Sequence, residues 1–325
     1  MKALICTEYG GPEKLSVQDV ATPTPGPGQI RVRVHACGVN FADTLVIQGL
    51  YQVKPEPPFS PGLELAGQIS AVGEGVTHLK VDDKVGSVAS HGGMAEEVVV
   101  DAKGAIPIPK GLSCTEAAAF PVAYGTSHLG LWHRAKLQPG ENLLVLGASG
   151  GVGLTAVQIG REMGANVIAA ASTDAKLEVA REAGAHHLIN YEKEDIREAV
   201  LALGGADVIY DPVGGAALKN AMRAINWEGR IAVIGFASGD IPQIPANILL
   251  VKNISAVGVF WGAYPEKNPS LMAASLKQLM QWRVEGKFEP HISKLYSLEE
   301  APQALMDIAA RKSTGKLVVQ LCDDC

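Results

Sequence analysis

A glycine-rich run is the segment whose residue types and spacing best suit ligand chemistry. It reads Gly-Ala-Ser-Gly-Gly-Val-Gly at 147–153, follows an apolar segment at 143–146 and precedes an amphipathic stretch. Glycines let a backbone turn sharply and approach phosphates, and the next helix directs its N-terminal N–H groups at them. A second apolar segment at 166–170 completes strand–helix–strand spacing. The pattern predicts a dinucleotide site, with a phosphate-free turn between strand and helix as the alternative. The expected pyrophosphate contacts are Ser149, Gly150, Gly151 and Val152.

The residues after the second apolar segment indicate which dinucleotide binds. NAD sites usually place Asp or Glu there, to hold the ribose 2′-hydroxyl. This chain has Ala171, followed by Ser172 and Thr173, with Lys176 one turn further on. A hydroxyl and an ammonium group suit a 2′-phosphate, so the sequence favours NADP(H). The alternatives are a helix N-cap for Ser172 or Thr173 and a solvated charge for Lys176. Asp174 is interpreted as a first-turn helix charge.

Length and composition fit a two-domain cytoplasmic enzyme. The chain has 325 residues, of which 47% are hydrophobic and 19% charged, with a formal net charge of −6. That charge gives no reason to expect nucleic-acid binding, and no apolar stretch approaches the length of a membrane span. The N-terminal residues turn polar at Thr7 and Glu8, which is typical of a first strand and not of a signal peptide.

The chain falls into three stretches. Residues 1–121 are predicted to be β-rich, because apolar alternation is interrupted by prolines and glycines. Strands and helices then alternate, which predicts a doubly wound parallel sheet of α/β class. The third stretch, from about 268, contains helices through 283 and at 299–310, and a closing strand at 315–319 that we expect to return to the first domain. The six predicted strands of the middle stretch lie at 143–146, 167–170, 187–189, 208–210, 231–234 and 255–259.

Several motifs along the chain identify a family resemblance. They are Gly-Val-Asn-Phe-Ala-Asp at 38–43, Gly-Leu-Tyr at 49–51, Pro-Gly-Leu-Glu-Leu-Ala-Gly at 61–67, Gly-Glu-Gly-Val at 73–76 and Asp-Asp-Lys-Val at 82–85. With them the chain closely resembles the medium-chain dehydrogenase/reductase superfamily, and within it the zinc-free quinone oxidoreductase (zeta-crystallin-like) branch. The resemblance extends essentially from end to end.

The resemblance implies a domain organisation and a set of cofactor contacts. A GroES-like β-barrel catalytic domain would comprise residues 1–121, completed by about 268–325, and a Rossmann NADP-binding domain would comprise 122–267. Family members dimerise through the sixth strand, here from Ser255 to Val259, which implies a homodimer. Packing between subunits is an alternative role for the two aromatic residues after that strand. The further implied NADPH contacts are Asn40, Thr126, Tyr191, Gly235, Phe236, Phe260, Trp261 and Gly262.

The resemblance also bears on metal binding. Zinc-dependent relatives carry Cys and His as ligands where this chain has Asn40 and Leu63, and neither replacement belongs to the usual zinc ligand set. The structural-zinc lobe of those relatives needs four closely spaced cysteines, and residues 86–100 contain none. We therefore predict no metal.

Without a metal, the favoured reaction is hydride transfer to an acceptor that delocalises negative charge. Quinones are the expected acceptors, and α,β-unsaturated carbonyls such as enals, enones or enoyl thioesters are the main alternative. A low-turnover NADPH-binding protein with a structural or RNA-binding role is the alternative of another class. The catalytic candidates are Asn40, which could instead be a backbone cap after a strand, and Tyr51, which could instead be an amphipathic lid aromatic. Asp43 is expected to buttress the loop or cap the helix.

Overall fold

The computed structural model describes residues 1–322 and divides the chain into two units. One unit contains Met1–Val122 together with the chain from Pro290 onward, and the other contains Ala123–Glu289. The strands, in chain order, are β1 (Lys2–Ile5), β2 (Ser16–Asp19), β3 (Gln29–Val39), β4 (Glu64–Val72), β5 (Lys84–Val88), β6 (Glu97–Asp101), β7 (Ile106–Pro107), β8 (Asn142–Leu146), β9 (Asn166–Ala171), β10 (His187–Asn190), β11 (Ala206–Asp211), β12 (Ile225–Val233), β13 (Ser255–Gly258), β14 (Ile292–Tyr296) and β15 (Lys316–Gln320).

The α-helices connect these strands and are mostly short. A π-helical turn at Leu129–Arg134 follows the third of them. The α-helices are α1 (Phe41–Ile47), α2 (Cys114–Ala118), α3 (Pro121–His128), α4 (Gly151–Glu162), α5 (Asp174–Glu182), α6 (Ile196–Ala202), α7 (Gly215–Ala221), α8 (Ala246–Lys252), α9 (Tyr264–Lys267), α10 (Pro269–Val284) and α11 (Ala301–Ala309). Within residues 1–322, no helix combines the length and apolarity needed to cross a bilayer.

The first unit is built on a mixed sheet. Its strands run in the order β14-β15-β3-β4-β5-β7, and β6 also pairs with β3. Strand β3 alternates buried and exposed side chains over its first half, as a strand with one solvated face should. The closing strand β15 pairs antiparallel with β3, so Val318 lies opposite Gly38. The predicted return of this strand to the first domain is confirmed.

The second unit is a six-stranded sheet in the order β10-β9-β8-β11-β12-β13, with every pair parallel. Strands β8 and β9 are almost entirely buried, which explains their continuous apolar sequences. The order reverses between β8 and β11, and open α/β sheets bind ligands at such a switch point, beyond the carboxyl ends of the strands. The predicted doubly wound sheet and its six strands are confirmed.

The second unit ends at Glu289, about twenty residues later in the chain than the domain boundary expected near 268. Helix α10 belongs to the second unit because its Ser275 Oγ lies 2.8 Å from His128 Nδ1. Phe288, beyond that helix, stacks on Tyr124 at 4.8 Å between ring centroids. The apolar pattern of α10 did not reveal these long-range contacts, and so the sequence placed this helix with the wrong stretch.

Candidate functional site

The glycine-rich turn joins β8 to α4 in the second unit. Gly147 has a φ of +59°, in the left-handed region that favours glycine. A Cβ on Gly153 would lie 2.2 Å from the Gly147 carbonyl oxygen, so the helix can approach the turn only because this residue is glycine. A Cβ on Gly150 would meet only that same oxygen, at 3.4 Å, and would otherwise point into open space. The turn therefore leaves room for a ligand above the N-terminus of α4.

A buried hydroxyl cluster supports this turn. Ser127 Oγ donates to the Val152 carbonyl oxygen at 2.9 Å and lies 2.7 Å from Thr155 Oγ1. The Tyr210 hydroxyl, near the end of β11, lies 2.8 Å from the same Ser127 oxygen. Burial raises the pKa of Tyr210 above its ordinary value, so its hydroxyl stays protonated. The expected contact Thr126 precedes Ser127 in α3 and is also buried. The cluster fixes the first turn of α4, where the expected pyrophosphate contacts lie.

The end of β9 brings together the residues expected at a 2′-phosphate. Thr173 is the N-cap of α5, and its side chain accepts a hydrogen bond from the Lys176 amide at 3.3 Å. Thr173 thus fills the capping role considered for it and for Ser172. The Lys176 ammonium group donates to Ser172 Oγ at 3.5 Å. Tyr191 follows β10, and its amide donates to the Ala171 carbonyl oxygen at 3.2 Å. A hydroxyl and an ammonium group therefore share this corner of the sheet.

The carboxyl ends of β11 to β13 carry the other expected contacts of the second unit. Asp211, which sequence reasoning missed, is fully buried, and its Oδ1 accepts from the amides of Val213 and Gly214 at 2.9 and 2.8 Å. Burial raises the pKa of Asp211, and those two amides oppose the rise. Trp261 is buried, whereas Phe260 is 42% exposed. The other expected contacts in this region, Gly235, Phe236 and Gly262, lie on the segments after β12 and β13.

Trp261 lies against helix α3. A Cβ on Gly125 would come within 2.6 Å of its indole nitrogen, so this position of the helix must be glycine for the ring to pack there. The indole Nε1 is buried and has no hydrogen-bond partner among residues 1–322. The indole of Trp261 therefore packs within its own unit, and the alternative of packing between subunits stays a prediction.

A buried polar cluster in the first unit surrounds Asn40, and we call Asn40, Glu64 and Lys316 the Glu64 cluster. The Lys316 ammonium group donates to Glu64 Oε1 at 2.7 Å, to Asn40 Oδ1 at 2.8 Å and to the Val39 carbonyl oxygen at 2.9 Å. Asn40 Nδ2 donates to the same Glu64 oxygen at 2.9 Å, and the Val122 amide donates to the other carboxylate oxygen at 2.8 Å. Both polar atoms of the Asn40 side chain are thus engaged with protein groups.

Sequence reasoning missed Glu64 and Lys316, although a signal was present. Each is a single charge within an apolar strand segment, Leu-Glu-Leu-Ala at 63–66 and Lys-Leu-Val-Val at 316–319. A charge in a buried strand requires a partner of opposite charge. The two strands are far apart in the chain, however, so sequence alone did not pair them.

Asp43 caps helix α1 from inside the same region. Its Oδ2 accepts from the Asn40 amide at 2.7 Å, which completes a capping box, as the expected capping role requires. The carboxyl group is fully buried, and Oδ1 has no hydrogen-bond partner in residues 1–322. Burial raises the pKa of Asp43 to about 7, against the opposing effects of the Asn40 amide and the Lys316 charge.

Burial also raises the pKa of Tyr51, with a smaller contribution from the Asp43 charge. Tyr51 therefore remains a hydrogen-bond donor at neutral pH.

The positions that carry zinc ligands in zinc-dependent relatives hold Asn40 and Leu63. The first is committed to the Glu64 cluster, and the second is a buried apolar side chain. Across residues 1–322, no group of three or more His, Cys, Asp or Glu side chains is arranged to hold a metal ion.

Comparisons with known proteins agree on one family. The alcohol dehydrogenase GroES-like domain model matches residues 26–110, and the zinc-binding dehydrogenase model matches residues 151–278. Quinone oxidoreductase-like protein 2 of Bos taurus is 42% identical to this chain, over 98% of this chain and 92% of its own length. Escherichia coli quinone oxidoreductase, solved in complex with NADPH, is 27% identical with a TM-score of 0.91, over 98% of this chain and all of its own. The CurK enoyl reductase structure is 28% identical with a TM-score of 0.89, over 99% of each chain.

The two glycines of the turn should respond differently to alanine. Gly153→Ala forces a Cβ against the Gly147 carbonyl oxygen, and overpacking of this kind typically costs about 2 kcal/mol of unfolding free energy. Gly150→Ala places its Cβ in open space at an extended backbone position, so we expect stability close to wild type and weaker dinucleotide binding. Urea unfolding and cofactor titration measure both effects. Equal stability losses would contradict these separate roles.

Asp43 should make stability depend on pH. Because its folded pKa of about 7 exceeds the ordinary value of 3.8, the folded state holds a proton that the unfolded state releases. Its contribution therefore favours folding at pH 4 and is lost as the pH rises to 7, and each pKa unit corresponds to about 1.4 kcal/mol. Asp43→Asn should remove this decline, so the variant gains stability relative to wild type between pH 4 and pH 8. Parallel stability curves in urea unfolding would show that the carboxyl group does not titrate in this range.

Proposed function

This chain belongs to the quinone oxidoreductase branch of the medium-chain dehydrogenase/reductase superfamily, and we propose that it is an NADPH:quinone oxidoreductase that works without metal. The observation that carries the proposal is the turn at 147–153. There a Cβ on Gly150 would enter otherwise open space, directly at the N-terminus of α4. Such a terminus binds a pyrophosphate through its amides and its dipole.

The corner formed by Ser172 and Lys176 supports NADPH over NADH. No carboxylate occupies positions 171–173, where NAD-binding folds commonly hold the ribose hydroxyls with an acid. The Lys176 ammonium group already approaches the Ser172 hydroxyl, so both can contact a 2′-phosphate together. The NADPH complex of the E. coli relative agrees with this choice. When bound, NADPH supplies the hydride.

Zinc independence is proposed from the chemistry of the side chains. Oxidising an alcohol requires a Lewis acid or a base to hold the developing alkoxide. Leu63 offers no ligand atom, and Asn40 is bonded to Glu64 and Lys316. A quinone needs no such help, because the hydroquinone anion delocalises its own charge. The acceptor that matches these residues is therefore a quinone.

The first unit would contribute two residues to the reaction, Asn40 and Tyr51. We assign Asn40 to the nicotinamide ribose side, held there by the Glu64 cluster. The Lys316 bond to Asn40 Oδ1 and the bond from Asn40 Nδ2 to Glu64 leave this amide little freedom to rotate, which suits a positioning role. Tyr51 is the proposed donor to the acceptor oxygen, since its phenol is protonated at neutral pH and burial raises its pKa further. The same donor would stabilise an enolate, so reduction of α,β-unsaturated carbonyls is the second candidate, and the likeness to CurK enoyl reductase favours it.

A homodimer through β13 completes the proposal. This strand ends the six-stranded sheet, and its residues Ser255, Ala256 and Gly258 are exposed. An exposed sheet edge is a ready template for pairing with another strand. A second copy of the chain, pairing its own β13 antiparallel to this one, would cover both edges.

Cofactor preference should depend on Lys176. A hydrogen bond to a charged group is worth roughly 1.5–3 kcal/mol, so Lys176→Ala should weaken NADPH binding about tenfold or more and leave NADH nearly unchanged. Titration of both cofactors by protein fluorescence measures this. Lys219→Ala, at an exposed lysine on α7, is the control and should change neither affinity. Equal losses for NADPH and NADH would overturn the assignment of the 2′-phosphate site.

Kinetics with quinones and with enones should show whether Tyr51 acts as a hydrogen-bond donor or through packing. Tyr51→Phe should cost little with quinones, whose anion is delocalised, and more with enones, where loss of one donor in a dry site costs up to about 3 kcal/mol. NADPH oxidation with a panel of simple quinones and enones gives kcat/KM for both and tests the proposed activity directly. No turnover of any quinone would reject that activity. Equal losses on both substrates would assign Tyr51 to packing.

A further inference from the structure

An ion pair lies beside the proposed 2′-phosphate corner. We propose that Lys193 is a positioning residue for cofactor selectivity, which neutralises Asp174 so that the Ser172–Lys176 corner accepts a 2′-phosphate. This inference rests on the proposed NADPH dependence. It adds a residue outside the corner that acts on it through a carboxylate.

The carboxylate of Asp174 is held by two groups from β10 and the loop that follows it. Its Oδ2 lies 2.5 Å from the Lys193 ammonium group, and its Oδ1 accepts from Asn190 Nδ2 at 2.6 Å. These two hydrogen bonds hold the pKa of Asp174 below its ordinary value, so it is an anion at neutral pH. The side chains of Asp174 and Lys193 are 68% and 65% exposed. The pair is thus formed at the surface, where a ligand can meet it.

The position of Asp174 in α5 makes its charge matter. It is the first residue of that helix, two residues after Ser172 and two before Lys176. A carboxylate this close to Ser172 and Lys176 repels a 2′-phosphate, because both carry negative charge. Lys176 and Asp174 alone would sum to zero charge, and Lys193 makes the group positive. A dianionic phosphate therefore finds an attractive corner only when the third charge is present.

The loop that carries Lys193 is itself fixed. Asn190 is buried, and its carbonyl oxygen accepts from the Lys193 amide at 2.9 Å and from the Glu194 amide at 3.0 Å. Three further charges lie on this loop, and one of them, Asp195, caps α6 by accepting from the Glu198 amide at 3.0 Å. The Glu194 carboxylate is turned back onto the Asn190 amide at 3.0 Å, and Glu192 is exposed. Lys193 is thus the residue of this loop that pairs with Asp174.

The exposure of the Lys193–Asp174 pair determines how much the loss of Lys193 should change stability and cofactor affinity. Exposed ion pairs contribute little to stability, so loss of Lys193 should leave unfolding nearly unchanged. A change of one unit charge several ångströms from the ligand, in water, should alter affinity for a dianion about three- to tenfold. Salt screens such interactions, so the effect should shrink as ionic strength rises.

The test is a double-mutant cycle on binding. Lys193→Gln, Asp174→Asn and the double variant are titrated with NADPH and with NADH by protein fluorescence at low and high salt. We expect Lys193→Gln to weaken NADPH about three- to tenfold at low salt and to leave NADH within about twofold. In the double variant, NADPH affinity should return to the wild-type range. Arg181→Gln, which breaks the exposed Arg181–Glu178 pair at the other end of α5, is the matched control and should change neither affinity.

The outcomes separate this inference from the proposal on which it rests. If adding Asp174→Asn to Lys193→Gln does not restore NADPH affinity, Lys193 contacts the phosphate directly and the masking role is wrong. If Lys193→Gln leaves NADPH unchanged, or weakens NADH as much, the inference is also overturned. If the wild-type protein itself shows no preference for NADPH, the assignment of the cofactor fails, whatever the variants do.

Discussion

The buried ion pair of Glu64 and Lys316 is the interaction on which the first unit depends. Removing two charges from water costs several kcal/mol each, and their attraction compensates only when hydrogen bonds satisfy the remaining atoms. Here Lys316 donates to three acceptors, and both Glu64 oxygens are bonded. Because the partners stand on β15 and at the start of β4, the pair ties the closing strand into the sheet. Loss of either partner would leave an uncompensated charge in the interior.

The same pair organises the polar groups that the chemistry would use. Asn40 joins it through both polar atoms of its side chain and, as N-cap, sets the start of α1. Asp43 completes the capping box from within that helix. Close packing is needed for this arrangement, since a Cβ on Gly38 would lie 2.5 Å from Glu64 Oε1. The orientation of Asn40 is therefore decided before any ligand arrives, and preorganised polar groups of this kind are what transition-state stabilisation requires.

Local patterns predicted much of this fold, and long-range pairing accounts for most of what they missed. The six strands of the second unit followed from apolar runs, and the turn at 147–153 from its glycines, because both signals are contained within a few residues. Glu64 and Lys316 are separated by 252 positions, and no local pattern joins them. Helix α10 was placed with the wrong stretch for the same reason, since its partner His128 lies on α3. The roles of the site residues remain predictions.

Burial decides what each lysine–carboxylate pair in this chain can do. The Lys316–Glu64 and Lys193–Asp174 pairs have similar contact distances of 2.7 and 2.5 Å, but their side chains are 4% and 0% exposed in the first and 65% and 68% in the second. In the interior the two charges cannot separate without a large desolvation penalty, so the first pair acts as a fixed structural element. At the surface, water and salt weaken the attraction between the two charges, so either charge can interact with a bound ligand. A lysine–carboxylate pair therefore gives rigidity in the interior of this chain, where water is excluded. At the surface, where both groups are solvated, the same kind of pair can contribute to ligand selectivity.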